Sequence, residues 1–131
     1  MKQYDTAEKY YMDKDYNCAE SVLHAANDEM NLGLDDTAFR AIGGFGGGMQ
    51  CGGVCGAVSG GVAAISAKYI ETYAHDCPEI GEHVSRFVER VREEMGSDQC
   101  CVLKEQHFND QTRCYPVVEK VFNILMDCEE K

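Results

Sequence analysis

The stretch GGFGGGMQCGGVCGAVSGG, residues 43–61, holds 10 of the chain's 13 glycines and runs straight into VAAISAKYIETYA, residues 62–74. Glycine lets a backbone turn tightly and pack closely, so Gly43 to Gly53 reads as a compact loop. Cys55 then lies near the start of a helix whose face carries Val58 and Val62. Gly56, Ala57, Ser59, Gly60, Gly61, Ala63 and Ala64 make that helix small-faced. A neighbouring helix or a cofactor can therefore approach its backbone. A phosphate-binding loop is not supported, because G-x-x-x-x-G-K-[ST] is absent and the only nearby cation is Lys68.

Upstream, residues 5–31 read as helix in two pieces. The second opens at Asn17-Cys18-Ala19-Glu20, where Asn17 caps the helix and Glu20 reaches back to it. Leu34, Asp35 and Phe39 fit a hydrophobic staple around an Asp cap and start a short helix through Ile42. Downstream, Pro78 suits the first turn of a helix whose Ile80, Val84, Phe87, Val88 and Val91 repeat at helical spacing until Gly96. Ser97 is expected to cap a short segment that carries Cys100. Pro116 opens the last helix, with Val117, Val118, Val121, Phe122 and Leu125 on its buried face, Cys114 just before it and a fraying tail from Asp127 to Lys131. No alternating strand pattern of useful length interrupts these segments. The fold class is therefore all-α: a compact bundle of about five to seven helices around a Gly-rich central loop and helix, in one domain over residues 1–131.

Twelve Lys and Arg against 23 Asp and Glu give a net charge of −11, which repels phosphate backbones and anionic lipid. Nucleic acid and membrane are thus unexpected partners, and a solvated acidic surface accounts for most of the charge. No apolar run spans a bilayer, and the start has no export-signal pattern, so the expected location is cytoplasmic. A reducing compartment turns eight cysteines from a disulfide framework into a question of metal binding, catalysis or burial.

Cys18, Cys55, Cys100 and Cys114 each fall near the expected N-terminus of a helix. There the helix dipole and free N–H groups favour thiolate, the form that binds metal and attacks disulfides. Cys51, four residues before Cys55, is a second-tier partner or replacement ligand, although the intervening glycines argue against one continuous helix. Cys101 points away from its neighbour Cys100 and reads as a bystander, while Cys77 and Cys128 read as free thiols. His24, His75, His83 and His107 form no ligand pair, His24 being the nearest exception, six residues after Cys18. The tyrosines at 4, 10, 11 and 16 read as packing residues.

Asn17-Cys18-Ala19, the Cys55-Gly56-Ala57-x-x-Gly60 core within the Gly-rich stretch, Gly96-Ser97-x-x-Cys100 and Cys114 together resemble the C_GCAxxG_C_C family of short bacterial and archaeal redox-active proteins. The resemblance runs through nearly the whole chain in order and spacing. It implies that the family's four cysteines map onto Cys18, Cys55, Cys100 and Cys114, with Gly56 and Gly60 beside a cofactor-sized pocket. It supplies a class and no substrate. The implied site is a four-cysteine iron–sulfur centre serving electron transfer with an unknown redox partner protein, or a thiol–disulfide relay through Cys55 and Cys51. Zinc accepts the same ligands but is the weaker expectation, because close C-x-x-C knuckles are absent; no C-x-x-C-H motif supports covalent haem. A third reading is a non-catalytic helical binding or assembly module with buried thiols, in which the glycines serve helix packing across a homodimer.

Overall fold

The computed structural model describes residues 3–129. The chain enters through α1 (Thr6–Glu8), which widens into a π-helical turn over Lys9–Asp13. Asn17 then caps α2 (Cys18–Met30) reciprocally: its side chain accepts the Glu20 N–H at 2.9 Å, and the Glu20 carboxylate accepts the Asn17 N–H at 2.9 Å. Asn31, in the left-handed region at φ 54°, closes the helix. Asp35 opens α3 (Asp36–Ile42) by accepting the Ala38 N–H at 3.1 Å. After the glycine segment come α4 (Gly56–Tyr69), α5 (Ile80–Met95), α6 (Cys100–His107) and α7 (Tyr115–Glu129). The fold is all-α, with seven helices among the described residues. None is long and apolar enough to cross a membrane.

α7 supplies the deepest layer, with Val118, Val121, Phe122 and Leu125 fully buried at their helical spacing. Burying each such side chain contributes about 1.5–3 kcal/mol relative to leaving it in water. α2 and α4 meet through small residues. A side-chain carbon at Gly60 would lie 2.5 Å from the Ala19 carbonyl oxygen, and one at Gly61 would lie 2.5 Å from the Phe87 ring. The small face of α4 is thus used for helix packing against α2 and α5.

Three details differ from the sequence expectation. Pro78 sits in a turn before α5, two residues ahead of Ile80. Ser97 does not cap α6: its hydroxyl accepts the Gln99 N–H at 3.0 Å, and the helix begins at Cys100 because residues 98–99 are drawn into pairing with residues 54–55. The acidic tail does not fray through Glu129. Its carboxylate is buried, accepting from Lys68 Nζ at 3.1 Å and from the Tyr69 hydroxyl at 2.8 Å. Glu130 and Lys131 lie outside the described residues.

Candidate functional site

Cys18 is the first residue of α2, Cys55 caps the N-terminus of α4, Cys100 is the first residue of α6, and Cys114 immediately precedes α7. A short antiparallel pairing brings two of these together. The Cys55 N–H donates to the Asp98 carbonyl at 2.7 Å, and the Cys100 N–H donates to the Gly53 carbonyl at 2.6 Å, on either side of the Val54–Gln99 bridge. Extended backbone alternates its side chains, so Cys55 and Cys100 fall on one side of this bridge while Val54 and Gln99 take the other. Cys18 meets the same place from α2: a side-chain carbon at Gly56 would collide with its sulfur. Glycine at position 56 is therefore what lets Cys18 stand beside Cys55.

The loop over these residues is built from four consecutive left-handed residues, Gly47, Gly48, Met49 and Gln50, at φ 61–63°. Met49 and Gln50 carry side chains there, at roughly 1–2 kcal/mol each. The Gly53 N–H donating to the Gly48 carbonyl at 2.8 Å closes the turn. Gly48 could not be another residue: besides its φ, a side-chain carbon would lie 2.6 Å from Cys100 Cβ.

Cys18, Cys100 and Cys114 line a cavity of about 280 Å³, with Tyr11, Tyr16, Gly47, Lys104, Phe108 and Arg113 among its other walls. Cys55 lies behind it, only 4% exposed. Cys114 is positioned by Tyr11, whose hydroxyl accepts the Cys114 N–H at 3.1 Å, and by Arg113, held left-handed at φ 56°. The Arg113 guanidinium lies over the Tyr11 ring at 4.7 Å and donates to the Tyr11 carbonyl at 3.0 Å. None of Tyr11, Lys104 and Arg113 carries a motif, and the sequence offered no signal for them beyond aromatic or basic character.

Burial dominates the thiols. Desolvation, reinforced by Cys18, pushes the Cys55 thiol up to about 12, although the Val58 and Ala57 N–H groups at the start of α4 pull the other way. Cys100 and Cys114 are also raised, first by burial and then by Cys18, while Lys104 opposes both shifts. Helix N-termini favour thiolate, and at Cys55 the start of α4 acts in that sense but is outweighed by desolvation. Among the described residues no three His, Cys, Asp or Glu side chains stand close enough to hold one metal ion.

The remaining candidates are distributed elsewhere. Cys51 and Cys101 are exposed. Cys77 and Cys128 are buried at the opposite end, where Cys77 Sγ donates to the Tyr69 carbonyl at 3.6 Å and Arg90 reaches Cys128 Sγ at 3.7 Å. His24 stacks on Phe39 at 3.7 Å and on Tyr16 at 4.6 Å, outside the cavity lining. Gly60 packs on α2 and is not a cavity wall, whereas Gly56 touches the site through Cys18. Lys68 is engaged with Glu129.

One family model, described as "Putative redox-active protein (C_GCAxxG_C_C)", matches residues 16–128. That span covers most of the chain, so the chain belongs to this family. No curated protein and no solved structure matches it.

Proposed function

We propose that this member of the C_GCAxxG_C_C family is an electron-transfer protein in which Cys18, Cys55, Cys100 and Cys114 hold an iron–sulfur cluster. The observation that carries the reading is that Cys18, Cys100 and Cys114, each at the N-terminal end of a different helix, line one cavity of about 280 Å³, with Cys55, at the start of a fourth helix, buried beside Cys18. Four thiols are the usual protein complement of such a cluster. The sulfurs are not gathered round a single point. A polyatomic group that bridges them therefore suits the site better than one zinc ion, which needs all four ligands about 2.3 Å from its centre. When bound, the cluster supplies a one-electron store.

The chain's own residues set the conditions for that store. As a ligand each thiol would give up its proton, and the N-terminal dipoles of α2, α4, α6 and α7 would favour the resulting negative charge. Lys104 and Arg113 add positive charge at the cavity wall. Tyr11, Tyr16 and Phe108 give the cavity an aromatic wall. Eight free thiols suit a reducing compartment such as the cytoplasm. The relay reading is weaker for Cys55, whose buried neutral thiol is a poor nucleophile.

Freshly purified protein kept anaerobic is expected to show broad visible absorption that bleaches on reduction with dithionite and is lost in Cys55→Ser. A chain that stays colourless after reconstitution with iron and sulfide contradicts the proposal and leaves thiol chemistry or a packing role.

A further inference from the structure

Val54 leaves its bridge to Gln99 on the side away from Cys55 and lines an open groove of about 420 Å³ between α4 and α5. Val58 and Val62 of α4, Val88 of α5 and Phe45 from the segment before α4 extend its apolar wall. Phe45 and Val54 are exposed. No residue of this lining also lines the cysteine cavity. Small-molecule sites have this character: about 300–1,000 Å³, mostly apolar, with a few placed polar groups.

The polar groups gather at one end of the groove. Tyr69 stacks on His83 at 3.9 Å, a side-chain carbon at Gly61 would meet the Phe87 ring, and the Cys55 N–H donates to the Asp98 carbonyl, so α5 runs antiparallel to α4. In that register Arg92 and Asp98 stand near the start of α4, beside Ser59, while Val62, Ala63 and Val88 lie farther along. Asp98 is 6% exposed, and both its carboxylate oxygens are engaged: Oδ2 accepts from Arg92 Nε at 2.7 Å and Oδ1 from Gln99 Nε2 at 2.8 Å. Arg92 is held through Nε alone. Its terminal nitrogens Nη1 and Nη2 have no protein acceptor among the described residues. A guanidinium fixed in this way keeps a planar pair of donors that matches the two oxygens of a carboxylate. Asp98 is the only acidic residue in the lining, and its charge is already met by Arg92 and Gln99.

We propose that this groove binds a small apolar carboxylate of the medium-chain fatty acid class, its carboxylate on the free fork of Arg92 and its chain along Val58, Val62 and Val88. The apolar wall supplies the burial, and Arg92 selects the acid over a neutral or cationic molecule of the same length. Because the two linings share no residue, the site works with or without a cluster at the cysteines.

The test is a calorimetric titration of octanoate into the full-length chain, with octanol and octylamine as probes of the same length and methyl NMR to place the site. Saturable binding of octanoate is expected, tighter than that of the alcohol or the amine, with shifts at the methyl groups of Val58, Val62 and Val88. Arg92→Gln keeps a donor for Asp98 but removes the charged fork; it should weaken octanoate by roughly tenfold or more and leave octanol unchanged. Ala63→Phe, which fills the groove from a half-buried position on α4, should abolish binding of both while retaining the wild-type circular dichroism. Absence of saturable octanoate binding, octanol bound as tightly as octanoate, or octanoate affinity untouched by Arg92→Gln would overturn the proposal.

Discussion

α4 and α7 run between two ends of the molecule that solve opposite problems. At their C-terminal ends the chain closes its own electrostatics. Lys68 and Tyr69 bind the buried Glu129 carboxylate, and Arg90 bridges Glu94 and Asp127 at 2.5 and 2.6 Å. Lys68 stands in the last turn of α4, where the helix dipole is negative. At the N-terminal ends stand cysteines, Cys55 buried and Cys114 half-buried, with burial raising both thiols, beside a cavity and a left-handed turn. The difference teaches that the first end is held by ion pairs within the chain, whereas the second gathers half-buried and buried thiols whose ionisation burial opposes.

The largest expected effect lies in the core that both ends share. Phe122→Ala should cost about 3–5 kcal/mol by urea unfolding, from lost burial and the cavity left behind. If it costs little, α7 does not join the two ends as a single packed unit. Gly60→Ala forces a carbon against the Ala19 carbonyl and should cost about 1–3 kcal/mol in the metal-free chain. Gly81→Ala, open on the exposed side of α5, should be neutral or slightly stabilising.

pH separates the ends. Burial raises Cys55 to about 12, so the metal-free fold has its full stability below the ordinary thiol pKa near 8.5 and loses it as pH rises from there toward 12. The loss should approach about 1.4 kcal/mol per pH unit within that window. Cys55→Ala should flatten this alkaline limb in urea titrations. At the other end the hydrogen bond from Arg90 lowers Glu94 below the ordinary carboxylate range. Its contribution is present above the unfolded pKa near 4.3 and disappears as pH falls through the lower folded value. Glu94→Gln should therefore reduce stability by roughly 0.5–1 kcal/mol at neutral pH and leave the acid end of the curve nearly unchanged. An equal response of both variants in acid and alkali would break the comparison.

The smallest expected effect sharpens it further. Cys128→Ser changes one sulfur to oxygen beside Arg90 and should shift the metal-free urea midpoint by less than about 1 kcal/mol, with no effect on visible absorption.

The helices were legible because local signals agreed with tertiary use. Asn17 with Glu20, Asp35 and the Val117-to-Leu125 repeat each mark a boundary or a buried face that the structure uses. The order of four cysteines at helix starts was legible for the same reason. What joins them was not. Val54 pairs with Gln99 through a single bridge, too short to leave an alternating pattern, and that pairing displaced the start of α6 from Ser97. Met49 and Gln50 adopt left-handed backbone without the glycine that usually signals it. Glu129 looked like solvated tail because its partners, Lys68 and Tyr69, lie about 60 residues away. The balance between dipole and desolvation at Cys55 depends on depth of burial, which sequence spacing does not encode.

The most direct measurement is iron and acid-labile sulfide per chain, after anaerobic reconstitution, across the eight single Cys→Ser variants. Cys18→Ser, Cys55→Ser, Cys100→Ser and Cys114→Ser are expected to lose most of both, while the changes at Cys51, Cys77, Cys101 and Cys128 retain wild-type content. Uniform retention across all eight, or loss that follows Cys51 and Cys101 in place of the cavity cysteines, would contradict the assignment of the four-cysteine site.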